Sequence, residues 1–104
     1  MEDFVNVGKV ADFEAGEIRA CRVRGEEVAV ANLNGHLYAF SNVCTHEGLG
    51  LSGYGDILGR NVICTMHSSI FEIETGRVIG GPAPEGLTVY EVRIKGDDVL
   101  LRKP

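Results

Sequence analysis

Apolar and polar residues alternate in short runs along this chain, and turn-forming residues break the runs at intervals of about ten residues. The pattern is clearest near the C-terminus, where Tyr90, Val92 and Ile94 alternate with Glu91, Arg93 and Lys95. A period of two in an extended chain predicts one buried and one wet face. Gly96, Asp97 and Asp98 then turn the chain into a last strand. Asn34 and Gly35 separate EEVAVANL from HLYAF, and an Asn-Gly pair accepts the positive φ values of a tight hairpin turn. Strands are predicted over about residues 3–9, 17–23, 27–33, 36–41, 61–64, 70–73, 77–79, 87–95 and 98–102. Helical periodicity is hard to find. The predicted fold class is therefore all-β, an antiparallel β-sandwich or barrel.

Between residues 42 and 84 the texture changes. Glycines at 48, 50, 53, 55, 59, 76, 80 and 81 interrupt each strand candidate, which predicts a loop-rich insert carried on a regular sheet platform. At 104 residues the chain is one domain long, so 1–104 is read as a single domain with a subdomain over about 42–84.

Composition narrows the function. A net charge of -5 leaves no basic field to attract a phosphate backbone, so nucleic-acid binding has no electrostatic support. No apolar run approaches the roughly 18 residues needed to cross a bilayer. The start MEDFVNV carries two acids and reads as neither a secretory signal nor a transit peptide, so the expected location is the cytoplasm. The three cysteines are an odd number, and two stand beside histidines, which favours metal binding over a disulfide framework. Cys21 shares a strand face with Val23 and is read as a small core residue. His36 follows the Asn-Gly turn and is read as solvated.

Cys44 and His46 form CxH, and Cys64 and His67 form CxxH. Two loops thus each offer one thiolate and one imidazole. Such a set admits a tetrahedral zinc ion, or a 2Fe-2S cluster with both cysteines on one iron and both histidines on the other. Structural zinc sites more often pair like ligands at short spacing.

The residues around these ligands resemble the Rieske iron-sulfur family over most of the chain. The matching elements run in order: Cys44-Thr45-His46, Leu51-Ser52-Gly53, Gly55 through Gly59, Val62 to Cys64, His67 with Ser69 and Phe71, Thr75-Gly76, and Gly81-Pro82-Ala83. The second ligand loop departs from the family pattern at Thr65 and Ser68.

The resemblance implies a Rieske fold and one 2Fe-2S cluster held by Cys44, His46, Cys64 and His67. It also implies a hydroxyl donor at Ser69 and a covering loop around Pro82. Mixed ligation leaves the oxidised cluster near neutral where four thiolates would leave it at about -2, so an added electron is easier to hold. The family's high-potential branch carries a disulfide across the cluster and a tyrosine donor. Leu49, Met66 and Phe71 occupy those places here. The implied potential is at the low end of the Rieske range, near about -150 mV.

By the same resemblance the chain is not a complete enzyme. It is a monomeric one-electron shuttle between a flavin-dependent ferredoxin reductase and a terminal oxygenase or other redox enzyme. A small electron-transfer subunit of a nitrite reductase-like complex and a zinc-bound structural module are the alternatives.

Overall fold

The computed structural model describes residues 4–42, 55–64, 69–81 and 86–103. Among them, ten strands follow in order: β1 (Val5–Lys9), β2 (Ile18–Val23), β3 (Glu26–Leu33), β4 (His36–Ser41), β5 (Gly55–Leu58), β6 (Asn61–Cys64), β7 (Ser69–Glu72), β8 (Val78–Gly80), β9 (Val89–Lys95) and β10 (Asp98–Arg102). A single 3-10 turn, Val10–Asp12, follows β1. All ladders are antiparallel. Six strands form one sheet in the order β1-β10-β9-β4-β3-β2, and four form a smaller sheet in the order β5-β6-β7-β8. The outer strands β1 and β2 also touch, so the larger sheet nearly closes on itself.

Turn chemistry sets much of this register. Asn34 and Gly35 take φ of +55° and +93° between β3 and β4, as a tight hairpin with the right-handed twist of its strands requires. Arg24 and Gly25 do the same between β2 and β3, at +53° and +84°. The side chain of Asn32 braces the first turn, because its Oδ1 accepts from Gly35 N at 2.7 Å while its Nδ2 donates to Phe13 O at 2.7 Å.

Two departures from the sequence pattern have physical causes. Gly55–Leu58 is not among the strands that the sequence pattern predicts, since glycines flank it and leave only Ile57 and Leu58 as apolar signal. It becomes a strand because Gly59, at φ +61°, folds it back onto Asn61–Cys64 and Ile57 packs into a core. Ile94 was assigned to the buried face of β9, yet it is 46% exposed. Strands β4 and β9 pair only at Ala39–Tyr90 and Phe40–Val89, so beyond Tyr90 they part and leave Ile94 uncovered.

β3 carries the packing of the whole molecule. Val28 and Val30 join Phe13, Val23, Leu37, Ala39, Tyr90, Val99 and Leu101 inside the large sheet. Ala29 and Ala31, on the opposite face, join Phe40, Val62, Cys64, Phe71, Ile73 and Leu87 between the two sheets. All four β3 residues are fully buried. Burying each valine contributes about 1.5–3 kcal/mol. The alanines contribute less area. The buried Cys64 thus lies in one core and the half-buried Cys21 packs on the other, beside Val23 as its sequence position implied.

A backbone crossing fastens the small sheet to the large one. Gly76 closes the turn after β7, with its N–H donating to Glu72 O at 2.7 Å, and its own carbonyl accepts from Leu87 N at 2.6 Å. It sits at φ +78°, and a Cβ placed there would overlap the Leu87 carbonyl. Gly86 faces the Gly76 carbonyl just as closely.

Two predictions follow from these contacts. Gly76→Ala should lose more than about 3 kcal/mol in unfolding, because overlap adds to the left-handed φ, whereas Gly59→Ala should lose only about 1–2 kcal/mol for its φ alone. Gly59 has no heavy atom within 4 Å of that position, so equal losses in thermal unfolding would contradict the crossing. The second concerns Tyr90, whose hydroxyl donates to Glu26 Oε1 at 2.8 Å and whose pKa is pushed up to about 12 by burial and by that carboxylate. A group raised in the folded state stabilises below its unfolded pKa of about 10, and that contribution fades as pH rises toward 12. Melting temperatures measured over this window should fall less steeply in Tyr90→Phe than in the parent chain.

Candidate functional site

One end of the small sheet gathers the chemistry. Gly55 lies opposite Cys64, Cys64 opposite Ser69, and Ile70 opposite Gly80. The chain therefore enters residues 65–68 at Cys64 and leaves them at Ser69, on neighbouring strands of the same sheet end. Gly55 follows residues 43–54, and Gly81 precedes residues 82–85, at that same end.

Cys64 and Ser69 are directly opposed across an antiparallel ladder, so their side chains share a face. That face is the one packed against the large sheet: Val62, Cys64, Ser69 and Phe71 are all fully buried, while Ile63 and Ile70 alternate to the other side and are only partly covered. The alternation that buries Val62 and Phe71 thus also delivers a thiol and a hydroxyl to the rim of a dry interface.

Ser69 Oγ is buried and has no hydrogen-bond partner among the described residues. A hydroxyl left so costs about 1–3 kcal/mol, and in a native protein it calls for an explanation, of which a redox role or a bound ion is one. A metal-bound thiolate or inorganic sulfide at this place is the kind of acceptor the hydroxyl lacks. Among the described residues, the Cys64 thiol beside the Ser69 hydroxyl fits one flank of an iron-sulfur cluster. Phe71, two residues along the same face, is packed among Ala29, Ala31 and Phe40 and has no hydroxyl to add a second donor.

Of the residues singled out by sequence, Cys64 and Ser69 are placed and brought together. Cys44, His46, His67 and Pro82 lie outside the described residues, as do Leu49, Thr65, Met66 and Ser68. Along the chain, His67 is two residues from Ser69, and Cys44 is two residues from Asn42. His36 is exposed and stacks on Tyr38, ring centroids 4.6 Å apart, at the far end of β4 from Asn42. It has no part in the site. Among the described residues no three His, Cys, Asp or Glu side chains come together, and no helix is long and apolar enough to cross a membrane.

Residues 3–91 match the model of the Rieske [2Fe-2S] domain. The chain belongs to the Rieske family. As a Rieske protein it is 35% identical over 98 residues to a biphenyl dioxygenase ferredoxin subunit of Pseudomonas sp. (strain KKS102), covering 94% of this chain and 90% of that one. Its fold superimposes with a TM-score of 0.92 and 26% identity on the ferredoxin of carbazole 1,9a-dioxygenase from Nocardioides aromaticivorans IC177, over 99% of this chain and 100% of that chain. A ferredoxin from a complex of reduced oxygenase and oxidized ferredoxin in carbazole 1,9a-dioxygenase matches with a TM-score of 0.88 and 29% identity, over 100% of this chain and 98% of that one. This Rieske chain is therefore of the ferredoxin kind, an iron-sulfur protein whose likeness runs end to end with small ferredoxin components.

The sequence reading missed two features near the site: the crossing of Gly76 with Leu87, and the buried Asn42 at the end of β4. The Thr75-Gly76 pair was visible as a motif, but its close approach to residue 87 joins positions distant in sequence. Asn42 had no signal beyond standing after a strand.

Proposed function

We propose that this Rieske chain is a one-electron carrier with a single 2Fe-2S cluster, held by the thiolates of Cys44 and Cys64 and the imidazoles of His46 and His67. The observation that carries the reading is the buried Cys64–Ser69 pair, whose hydroxyl has no hydrogen-bond partner among the described residues. When bound, the cluster supplies a site that takes up and releases one electron.

The protein's own part is to bind, orient and keep water away. β6 holds Cys64 in a rigid ladder, and the interface of Val62, Phe71 and Phe40 keeps its flank dry. Ser69 stands ready to donate to a sulfur on that flank. A donor there favours the more negative reduced state and raises the potential. The single donor, with Phe71 in place of a tyrosine, supports a midpoint at the low end of the Rieske range, near about -150 mV. Pro82 belongs to the loop that covers the cluster in this reading.

Residues 1–104 act as one Rieske domain whose subdomain over about 42–84 carries the cluster. The carrier works as a monomer in the cytoplasm, receiving electrons from a flavin-dependent ferredoxin reductase and passing them to a terminal oxygenase. The likeness to the ferredoxin of the carbazole 1,9a-dioxygenase complex supports that pairing. With net charge -5, its docking surface suits partners with basic rims.

These measurements test the reading. Anaerobically prepared protein should hold about two irons and two sulfides per chain and give a mixed-ligand signal by electron paramagnetic resonance when reduced with dithionite; colourless protein with one zinc per chain would refute it. It should also pass one electron per chain from a flavin-dependent reductase to a ring-hydroxylating oxygenase. Ser69→Ala should keep the cluster and lower its midpoint by about 59 mV for each ~1.4 kcal/mol by which the lost bond favoured the reduced state. A midpoint unmoved by that change would deny Ser69 its role.

A further inference from the structure

The interface between the two sheets is filled around Phe40 and opens toward the Asn34-Gly35 turn. On the face that carries Ala29, Ala31 and Leu33, β4 contributes the opposed residues Phe40, Tyr38 and His36. Phe40 is fully buried, Tyr38 is partly covered and His36 is exposed. From the small sheet, Ile57 still packs on the shared core, while the turn between β5 and β6 stands at the mouth. A cleft of about 480 Å³ results, lined by Leu33, Asn34, His36 and Tyr38 on one side and by Ile57 and Arg60 on the other. That volume lies within the usual range for small-molecule sites, about 300–1,000 Å³.

Backbone bonds hold its walls. Gly16 N donates to Asn32 O at 2.9 Å, and Ile73 N donates to Arg60 O at 3.0 Å. Gly16 and Gly59 add wall without side chains to fill the space, and a Cβ at either would meet no heavy atom within 4 Å. The His36 and Tyr38 rings stack with centroids 4.6 Å apart at 28°, and Leu33 and Ile57 extend this apolar surface. Among the described residues lining the cleft, Arg60 alone carries a permanent charge. Its guanidinium donates to Glu74 Oε1 at 3.1 Å and to the Tyr38 hydroxyl oxygen, and with five N–H groups it has donors beyond these two bonds. The pair with Glu74 is exposed on both sides, so a competing carboxylate can displace it at little cost.

A planar apolar body matches the ring stack, and one negative charge matches one guanidinium. A nucleotide phosphate does not, because its second charge would lie near Glu74 on a chain of net charge -5. We infer that this cleft binds a small aromatic carboxylate, with the ring against His36 and Tyr38 and the carboxylate on Arg60. The cleft lies at the opposite end of the small sheet from Cys64 and Ser69, so its occupancy does not depend on the proposed ligation. Its walls come from both sheets, and an occupant therefore ties them together and stabilises the fold by mass action.

The test titrates holoprotein with benzoate as the probe. Nuclear magnetic resonance signals of Asn34, Gly59 and Arg60 amides and of the His36 and Tyr38 rings should shift and saturate with a Kd of about 1 mM, and the melting temperature should rise. Arg60→Gln loses the charge and should weaken binding about tenfold or more. Glu74→Gln removes the competing carboxylate and should tighten binding about two- to fivefold. Both positions are exposed and outside the two cores, so these variants keep the fold. Benzyl alcohol, which has the ring without the charge, and acetate, which has the charge without the ring, should each bind about tenfold more weakly or worse. The inference is overturned if benzoate at about ten times that Kd gives no saturating shifts at these residues. It is equally overturned if Arg60→Gln binds benzoate as the parent does, if Glu74→Gln weakens binding, or if acetate or benzyl alcohol binds as well as benzoate.

Discussion

Contact between the alanine face of β3 and the inner face of the small sheet organises everything else in this protein. Ala29 and Ala31 share one buried cluster with Val62, Cys64, Phe71 and Ile73, which keeps water from between the two sheets. Packing of this kind is felt at the level of single methylene groups. A larger residue at 29 or 31 would push the small sheet away. Cys64 and Ser69 are part of that sheet's buried face, so the contact that stabilises the fold also carries the proposed cluster-binding pair.

The site is consequently a continuation of the core and not an addition to the surface. Every second residue along β6 and β7 faces the interface, and at the sheet end the same alternation changes from valine and phenylalanine to cysteine and serine. Three fastenings lie behind it: Leu87 on Gly76, Ser41 with Thr88, and Asn42 on Glu27. Each includes a hydrogen bond between backbone groups, donated by the N–H of Leu87, Ser41 or Asn42. Such rigidity suits a carrier whose partners must find the same surface at every encounter.

Surface charge serves encounter more than folding. Lys9 pairs with Asp98 at 2.6 Å, Arg60 with Glu74 at 3.1 Å and Lys103 with Glu26 at 2.9 Å, all on exposed side chains. Pairs of this kind contribute about 0–1 kcal/mol each. Lys9 holds the Asp98 carboxyl below its ordinary range, and Lys103, with Tyr90, does the same for Glu26. The acidic excess is spread along the chain, with a net charge of -2 in residues 42–84 and -3 in the remainder.

Local chemistry explains why so much was readable in advance. Period-two alternation, the Asn34-Gly35 turn and the Gly96 turn act within a few residues, and the strands they imply are found within two residues of their expected limits. Cys64 and Ser69 could be singled out for a similar reason, since their residue types and their place in the Rieske pattern stand in the linear chain, and their proposed role rests on that pattern. β5 was not, because a short glycine-flanked segment becomes a strand only when a neighbouring strand satisfies its backbone. Ile94 followed the alternation and still stayed exposed, since burial depends on whether β4 reaches that far. The Gly76–Leu87 crossing and the Asn42–Glu27 bond join residues 11 and 15 positions apart through sheet pairing and the docking of two sheets. Contacts of that kind leave no period and no motif behind, so they come into view only when the chain is folded.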